Sequence, residues 1–176
     1  MIFTETKLHG AFIIDVKLIE DDRGFFALTW SADIFESYGL ESRVVQMNLS
    51  FNKRAGTLRG MHFQKEPYAQ AKVVSCIRGS IYDVLIDLRP DSPTFQEWDS
   101  VELSASNHRM LYVPKGFAHG FQTLEDDTEV LYHMSDVYMP ESASGVRWND
   151  PTFAIEWPPA ERTIIARDDE YPDFTA

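Results

Sequence analysis

Cysteine is all but missing: one residue in 176, Cys76. A single thiol excludes an intrachain disulfide and any cysteine-rich metal centre. Its place in an apolar stretch predicts a buried, inert group. Long apolar runs are missing as well, and with them any membrane span. No signal-peptide pattern is seen, so a soluble, cytoplasmic protein is expected. Positive charge is scarce: 16 Lys and Arg stand against 28 Asp and Glu, for a formal net charge of −12. Nucleic acids and anionic membranes are bound through basic patches, so neither is an expected partner. A small anion needs only a few cations in a pocket and stays open. Helix signals are few too. In the first half of the chain one helix is predicted, over Ala32–Tyr38, with Ser31 placed to cap it and Gly39 to stop it.

What remains is strands. The chain is 44% hydrophobic and 13% aromatic, enough for a packed core, and its length predicts one domain over residues 1–176. Ala11–Ile19, Phe25–Trp30, Val44–Phe51, Lys72–Arg78, Ile81–Leu88, Phe95–Leu103, His108–Val113, Gly120–Leu124 and Thr128–Val137 all read as strands between turn residues. Gly79-Ser80 looks like a hairpin turn. Many short strands with little helix predict an all-β antiparallel sandwich or barrel with room for one small ligand. From Pro140 onward, Trp148, Trp157 and several prolines predict an irregular segment wrapping the outside, with the acidic residues from Ile164 to Ala176 only partly ordered.

Polar residues inside strands are where chemistry is sought. Gly56–Gln64 reads as a strand yet holds Arg59 and His62. Residues three apart face opposite sides of a regular strand, but a bulge at Gly60 would turn both to one face. Two readings fit: a solvated arginine with a core histidine, or a paired site. Arg23, Arg59 and Lys72 are cations in or beside strands of an acidic chain. Gathered in a barrel they would hold a phosphate; taken singly, each is as well explained by a carboxylate partner. Tyr132 and Tyr138 share one face by alternation, as proton donors or as core aromatics.

Pro114-Lys115-Gly116-Phe117-Ala118-His119 matches the Pro-x-Gly-x-x-His signature of the second cupin motif. The first motif's His-x-His reads His62-Phe63-Gln64 here, and two imidazoles alone make a poor divalent site. A cupin-like barrel without a metal is therefore expected.

The combination of Leu58-Arg59-Gly60-Met61-His62-Phe63-Gln64 with Pro114–Phe121 resembles the nucleotide-sugar 3,5-epimerase family, typified by dTDP-4-dehydrorhamnose 3,5-epimerase. Asp22–Phe26, Gln46-Met47-Asn48, Ala69–Lys72, Asp87-Leu88-Arg89, Ser92–Phe95 and Trp148–Pro151 extend the likeness over nearly the whole chain. The resemblance implies a jelly-roll barrel, no metal or redox cofactor, and a homodimer exchanging N-terminal strands. It makes His62 the general base, Tyr132 the acid on the opposite face, and Lys72 the cation beside a developing enolate. Arg23 and Arg59 become diphosphate ligands and Tyr138 an aromatic near the nucleotide base, with Phe26, Gln46, Asn48 and His119 also in the substrate site. The family's Ser-x-Lys-Asp pattern is read at Ala166-Arg167-Asp168-Asp169, making Asp169 the carboxylate that orients His62, with Asp83 the second choice.

The implied reaction inverts C3, C5 or both in a dTDP-linked 4-keto-6-deoxyhexose, as in rhamnose-type biosynthesis. Hydrogens beside a ketone are acidic because their removal gives an enolate, so a base, an acid and a cation suffice. Leu28 and His133 stand where the family commonly has Glu and Lys. These departures keep a single-centre epimerase on another nucleotide sugar open, and beside it a non-catalytic sugar-binding cupin.

Overall fold

The structure is a computed structural model and describes residues 1–175. Two antiparallel sheets face each other. The first contains six strands in the order β1 (Ile2–Glu5), β2 (Phe12–Asp15), β10 (Met110–Val113), β7 (Lys72–Arg78), β12 (Thr128–Met134) and β5 (Gln46–Asn52). The second contains β13 (Ala143–Gly145), β6 (Leu58–Gln64), β11 (Phe117–Thr123), β8 (Ser80–Asp87) and β9 (Trp98–Ser104). A separate hairpin pairs β3 (Ile19–Asp21) with β4 (Gly24–Phe26). This is the expected all-β jelly roll of the cupin type. Its short helix α1 spans Ala32–Ser37, with Ser31 at the N-cap but making no side-chain capping bond. No helix among the described residues is long and apolar enough to cross a membrane.

Strand alternation sorts side chains into three layers. Val74 and Cys76 of β7, Val130 of β12, Ile81 and Leu85 of β8, and Phe117 and Phe121 of β11 meet between the sheets. Val84 and Ile86 of β8 and Ala118 of β11 face the other way and are roofed by Val146, Phe153 and Trp157 of the C-terminal segment. With a covered surface on either side, every residue of β11 and all but one of β8 are buried. The same alternation sends Asp83 and His119 inward among apolar neighbours, where polar groups survive only if paired.

Four readings need revision. Gly79-Ser80 is not a hairpin: β7 lies in one sheet and β8 in the other, so the turn carries the chain across the sandwich. Gly79 makes it with φ +73°, where an added Cβ would collide with the Thr128 hydroxyl. The N-terminus supplies an unanticipated edge strand, β1. Phe25–Trp30 is strand only as far as Phe26. Beyond Pro140 the chain is irregular apart from the edge strand β13 and a one-turn helix, α2, over Ala166–Asp169. Far from fraying, α2 packs on β6.

Candidate active site

Between the sheets opens a cavity of about 330 Å³, within the range of small-molecule sites. His62 and Arg59 both line it, although they are three residues apart on β6. The pairing of β6 with β11 shifts register there. Gly60 permits the irregularity: its φ is +139°, and a Cβ would sit 2.5 Å from Gly120 Cα. The two glycines let β6 and β11 approach closely, which turns both polar heads to one face.

His62 Nε2 lies 2.8 Å from Asp168 Oδ1, and the backbone N–H of Gly60 donates to Asp168 Oδ2 at 3.3 Å. Asp168, on α2, is therefore the carboxylate beside His62, not Asp169. Asp169 points elsewhere and accepts a hydrogen bond from the Trp148 indole, Nε1 to Oδ1, at 2.8 Å. Successive residues on a helix are turned about 100° apart, so one of the two aspartates reaches His62 and the other does not. The family pattern falls on Ile165-Ala166-Arg167-Asp168, which sets Arg167 in the lysine position. Asp83, the second choice, is taken by His119, whose Nε2 lies 2.7 Å from Asp83 Oδ1.

Burial would raise the Asp168 carboxyl, but the His62 ring, the Gly60 N–H and the Arg167 guanidinium outweigh it and hold the carboxyl below its ordinary value. An ionised carboxylate only accepts, so Nε2 carries the ring hydrogen and Nδ1 keeps the lone pair a base needs. Burial lowers the His62 pKa despite its carboxylate partner, which keeps the imidazole neutral at pH 7.

From the opposite sheet come Lys72 of β7, Tyr132 of β12, and Asn48 and Ser50 of β5. Lys72 is buried and donates from Nζ to the His62 carbonyl at 3.2 Å, which binds its ammonium to the strand bearing the base. Desolvation brings its pKa down to about 8, against the pull of Asp83. The Tyr132 hydroxyl is 3.4 Å from Ser50 Oγ, and burial pushes its pKa up, so the phenol stays protonated and able to donate. Arg59 is fixed by Nε donating to Asn52 Oδ1 at 2.7 Å. Arg59, Lys72 and Arg167 all face this cavity in a chain of charge −12.

Other expected residues are placed less directly. Tyr138 stands at the cavity mouth, where its backbone N–H donates to Gln46 Oε1, while Gln46 Nε2 donates to Asn48 Oδ1. Gln46 thus supports two cavity residues without lining the cavity itself. Arg23 and Phe26 do not reach the cavity of their own chain. They sit on the β3–β4 hairpin, the Arg23 side chain 89% and Phe26 71% exposed, with Arg23 paired to Asp21. Arg167, Tyr171, Gln70 and Ser50 also line the cavity and escaped the sequence reading. Ser50 was accessible to it, sharing a face of its strand with Asn48. Tyr171 lies on the irregular tail, where no periodicity marks it.

The profile of the family described as dTDP-4-dehydrorhamnose 3,5-epimerase matches residues 5–176. A curated protein of that name from Methanothermobacter thermautotrophicus is 47% identical over 156 residues, 89% of this chain and 83% of that protein. Among solved structures, the Bacillus anthracis dTDP-4-dehydrorhamnose 3,5-epimerase with TDP and PPi bound is 45% identical, covers 98% of each chain and superposes with a TM-score of 0.94. The Legionella pneumophila dTDP-6-deoxy-D-glucose-3,5-epimerase in complex with dTDP-4-keto-L-rhamnose is 36% identical, covers 99% of this chain and 98% of that one, and has a TM-score of 0.89. With likeness over almost its full length in both sequence and fold, this chain belongs to the dTDP-4-dehydrorhamnose 3,5-epimerase family of isomerases.

Proposed function

We propose that the protein epimerises a dTDP-linked 4-keto-6-deoxyhexose at C3 and C5 through enolate intermediates. The observation that carries this reading is the placement of a neutral His62–Asp168 pair on one sheet and a buried, protonated Tyr132 on the other, with Lys72 in the cavity between. His62 Nδ1 removes the proton beside the ketone. The Lys72 ammonium stabilises the oxyanion as charge moves onto the ketone oxygen. Tyr132 returns a proton to the opposite face, and deprotonation on one face with reprotonation on the other inverts the carbon. Arg59 serves the diphosphate, His119 and Asn48 the sugar and nucleoside, and Tyr138 the base. These side chains supply every acid–base group the reaction asks for.

The functional form in this reading is a homodimer. Met47, Leu49 and Phe51 of edge strand β5, with Ile77 of β7, leave an exposed apolar row on the outer face of the six-stranded sheet. Patches of that kind mark interaction surfaces. The exposed Phe25 and Phe26 of the hairpin, with Arg23 beside them, fit a segment that reaches a partner's cavity and adds a cation there. The cytoplasmic location expected from the sequence belongs to the same proposal.

Incubation with dTDP-4-keto-6-deoxyglucose in deuterium oxide, followed by proton NMR, tests the reaction. Deuterium is expected at both C3 and C5. Label at one carbon alone would make the protein a single-centre epimerase, and no label at either would leave it a sugar-binding cupin.

A further inference from the structure

The carboxylate that orients the base rides on a weak element. The helix α2 has four residues, and Ile165 at its N-cap gives no side-chain bond. A single helical turn does not hold itself, since nucleation costs more than one turn returns. Its position must come from outside. Asp168 makes the bonds to His62 and Gly60 already described, and Arg167 Nε donates to Asp168 Oδ1 at 3.3 Å from within α2 itself. Among the described residues, the one further side-chain hydrogen bond joining α2 to another part of the chain is Trp148 Nε1 to Asp169 Oδ1.

Trp148 is itself well anchored. The Arg162 guanidinium lies over its ring, 4.7 Å from the centroid, and its carbonyl accepts from Trp157 Nε1 at 2.8 Å. Arg162 is in turn held by Gln122 of β11, whose Oε1 accepts from Nε at 3.1 Å. A continuous set of contacts thus runs from the barrel wall through Arg162 and Trp148 to the residue next to Asp168.

We infer that Trp148 and Asp169 form a latch that holds α2 in the rotation presenting Asp168 to His62, making both positioning residues for the base. This rests on the reading of His62–Asp168 as the catalytic pair. With the latch open, α2 can turn or fray, and Asp168 spends part of its time away from the imidazole. His62 then loses the interaction that orients it and supports its basicity, so it is weaker and protonates at lower pH. Arg59 and Tyr138 are left in place, and of the cavity's cations only Arg167, on α2 itself, moves with Asp168, so nucleotide affinity changes less than kcat.

The test uses Trp148→Phe, which keeps an aromatic ring under Arg162 but loses the N–H, and Asp169→Ala at the exposed other end. Each should lower kcat roughly threefold to tenfold, the worth of one hydrogen bond, with a smaller change in dTDP affinity. Each should also move the acid limb of the kcat/KM profile to lower pH. The double variant should be no worse than either single one, because the two residues act through one bond. Asp169→Asn keeps an oxygen acceptor and should restore kcat. Unchanged kcat and acid limb in both single variants, or losses that add in the double one, would overturn the latch. Asp168→Asn, run alongside, separates this from the underlying reading: full activity there removes the catalytic pair itself, whereas loss there with normal Trp148→Phe removes the latch alone.

Discussion

Two histidine–aspartate pairs stand on neighbouring strands of one sheet, and their difference explains the site. His62 and His119 are cross-strand partners, and each places Nε2 within 2.8 Å of a carboxylate oxygen. The His119 side chain is 5% exposed and its carboxylate comes from the adjacent strand β8, inside the barrel. His62 is 34% exposed and takes its carboxylate from α2, 106 residues along the chain. The two aspartates are pushed in opposite directions. Asp168 has both oxygens satisfied and is held ionised. Asp83 is driven up by burial, and its Oδ2 has no hydrogen-bond partner among the described residues. Environments that separate the pKa values of like groups commonly separate their roles. A fixed anion behind an accessible ring is the arrangement a base needs, and it supports the role proposed for His62. A carboxyl pushed toward neutrality behind a buried ring holds the ring still, which suits His119 to contacting substrate.

The largest effect that sharpens this contrast is expected on removing each ring in turn. His62→Ala should abolish both inversion and solvent-deuterium exchange, because no enolate forms, with a loss of at least about 10²–10⁴. His119→Asn should cost about tenfold in kcat/KM while exchange continues, as suits one lost contact. If His119→Asn stops exchange and His62→Ala does not, the roles are reversed.

A smaller effect is expected in the pH dependence. Burial keeps His62 neutral below the ordinary imidazole range, so the acid limb of kcat/KM should lie below about pH 6.5. Lys72 is charged only below its pKa of about 8, so oxyanion stabilisation fades as pH rises through that value and an alkaline limb should appear there. Lys72→Arg keeps the charge at every accessible pH and should remove the alkaline limb even where it lowers the rate. An alkaline limb unmoved by Lys72→Arg would assign that titration to another group.

Much of this site was legible in the sequence because its residues obey strand alternation. His62, Arg59, Lys72, Tyr132 and His119 sit at cavity-facing positions that period-two counting and one glycine irregularity can find. Asp168 was missed by one residue, for a physical reason. In a doublet of aspartates the chemistry of the two is identical, and only the rotation of α2, fixed by tertiary contacts such as Trp148–Asp169, decides which faces His62. Gly79-Ser80 misled in the same way: a tight glycine turn looks alike whether its strands pair or part to opposite sheets, and sheet assignment is settled by non-local packing. Arg23 and Phe26 carry the family motif but lie outside the cavity, because they sit on the exposed β3–β4 hairpin, a placement that strand alternation does not reveal.

The central claim is that base and acid stand on opposite walls of one cavity, and Tyr132→Phe tests it most directly. That variant keeps the ring and the packing against Phe121 and loses only the hydroxyl. Followed by proton NMR in deuterium oxide with dTDP-4-keto-6-deoxyglucose, it should still exchange the proton removed by His62 while inversion falls by about 10²–10⁴. Inversion of both centres at the normal rate would contradict the claim and leave Tyr132 a core aromatic.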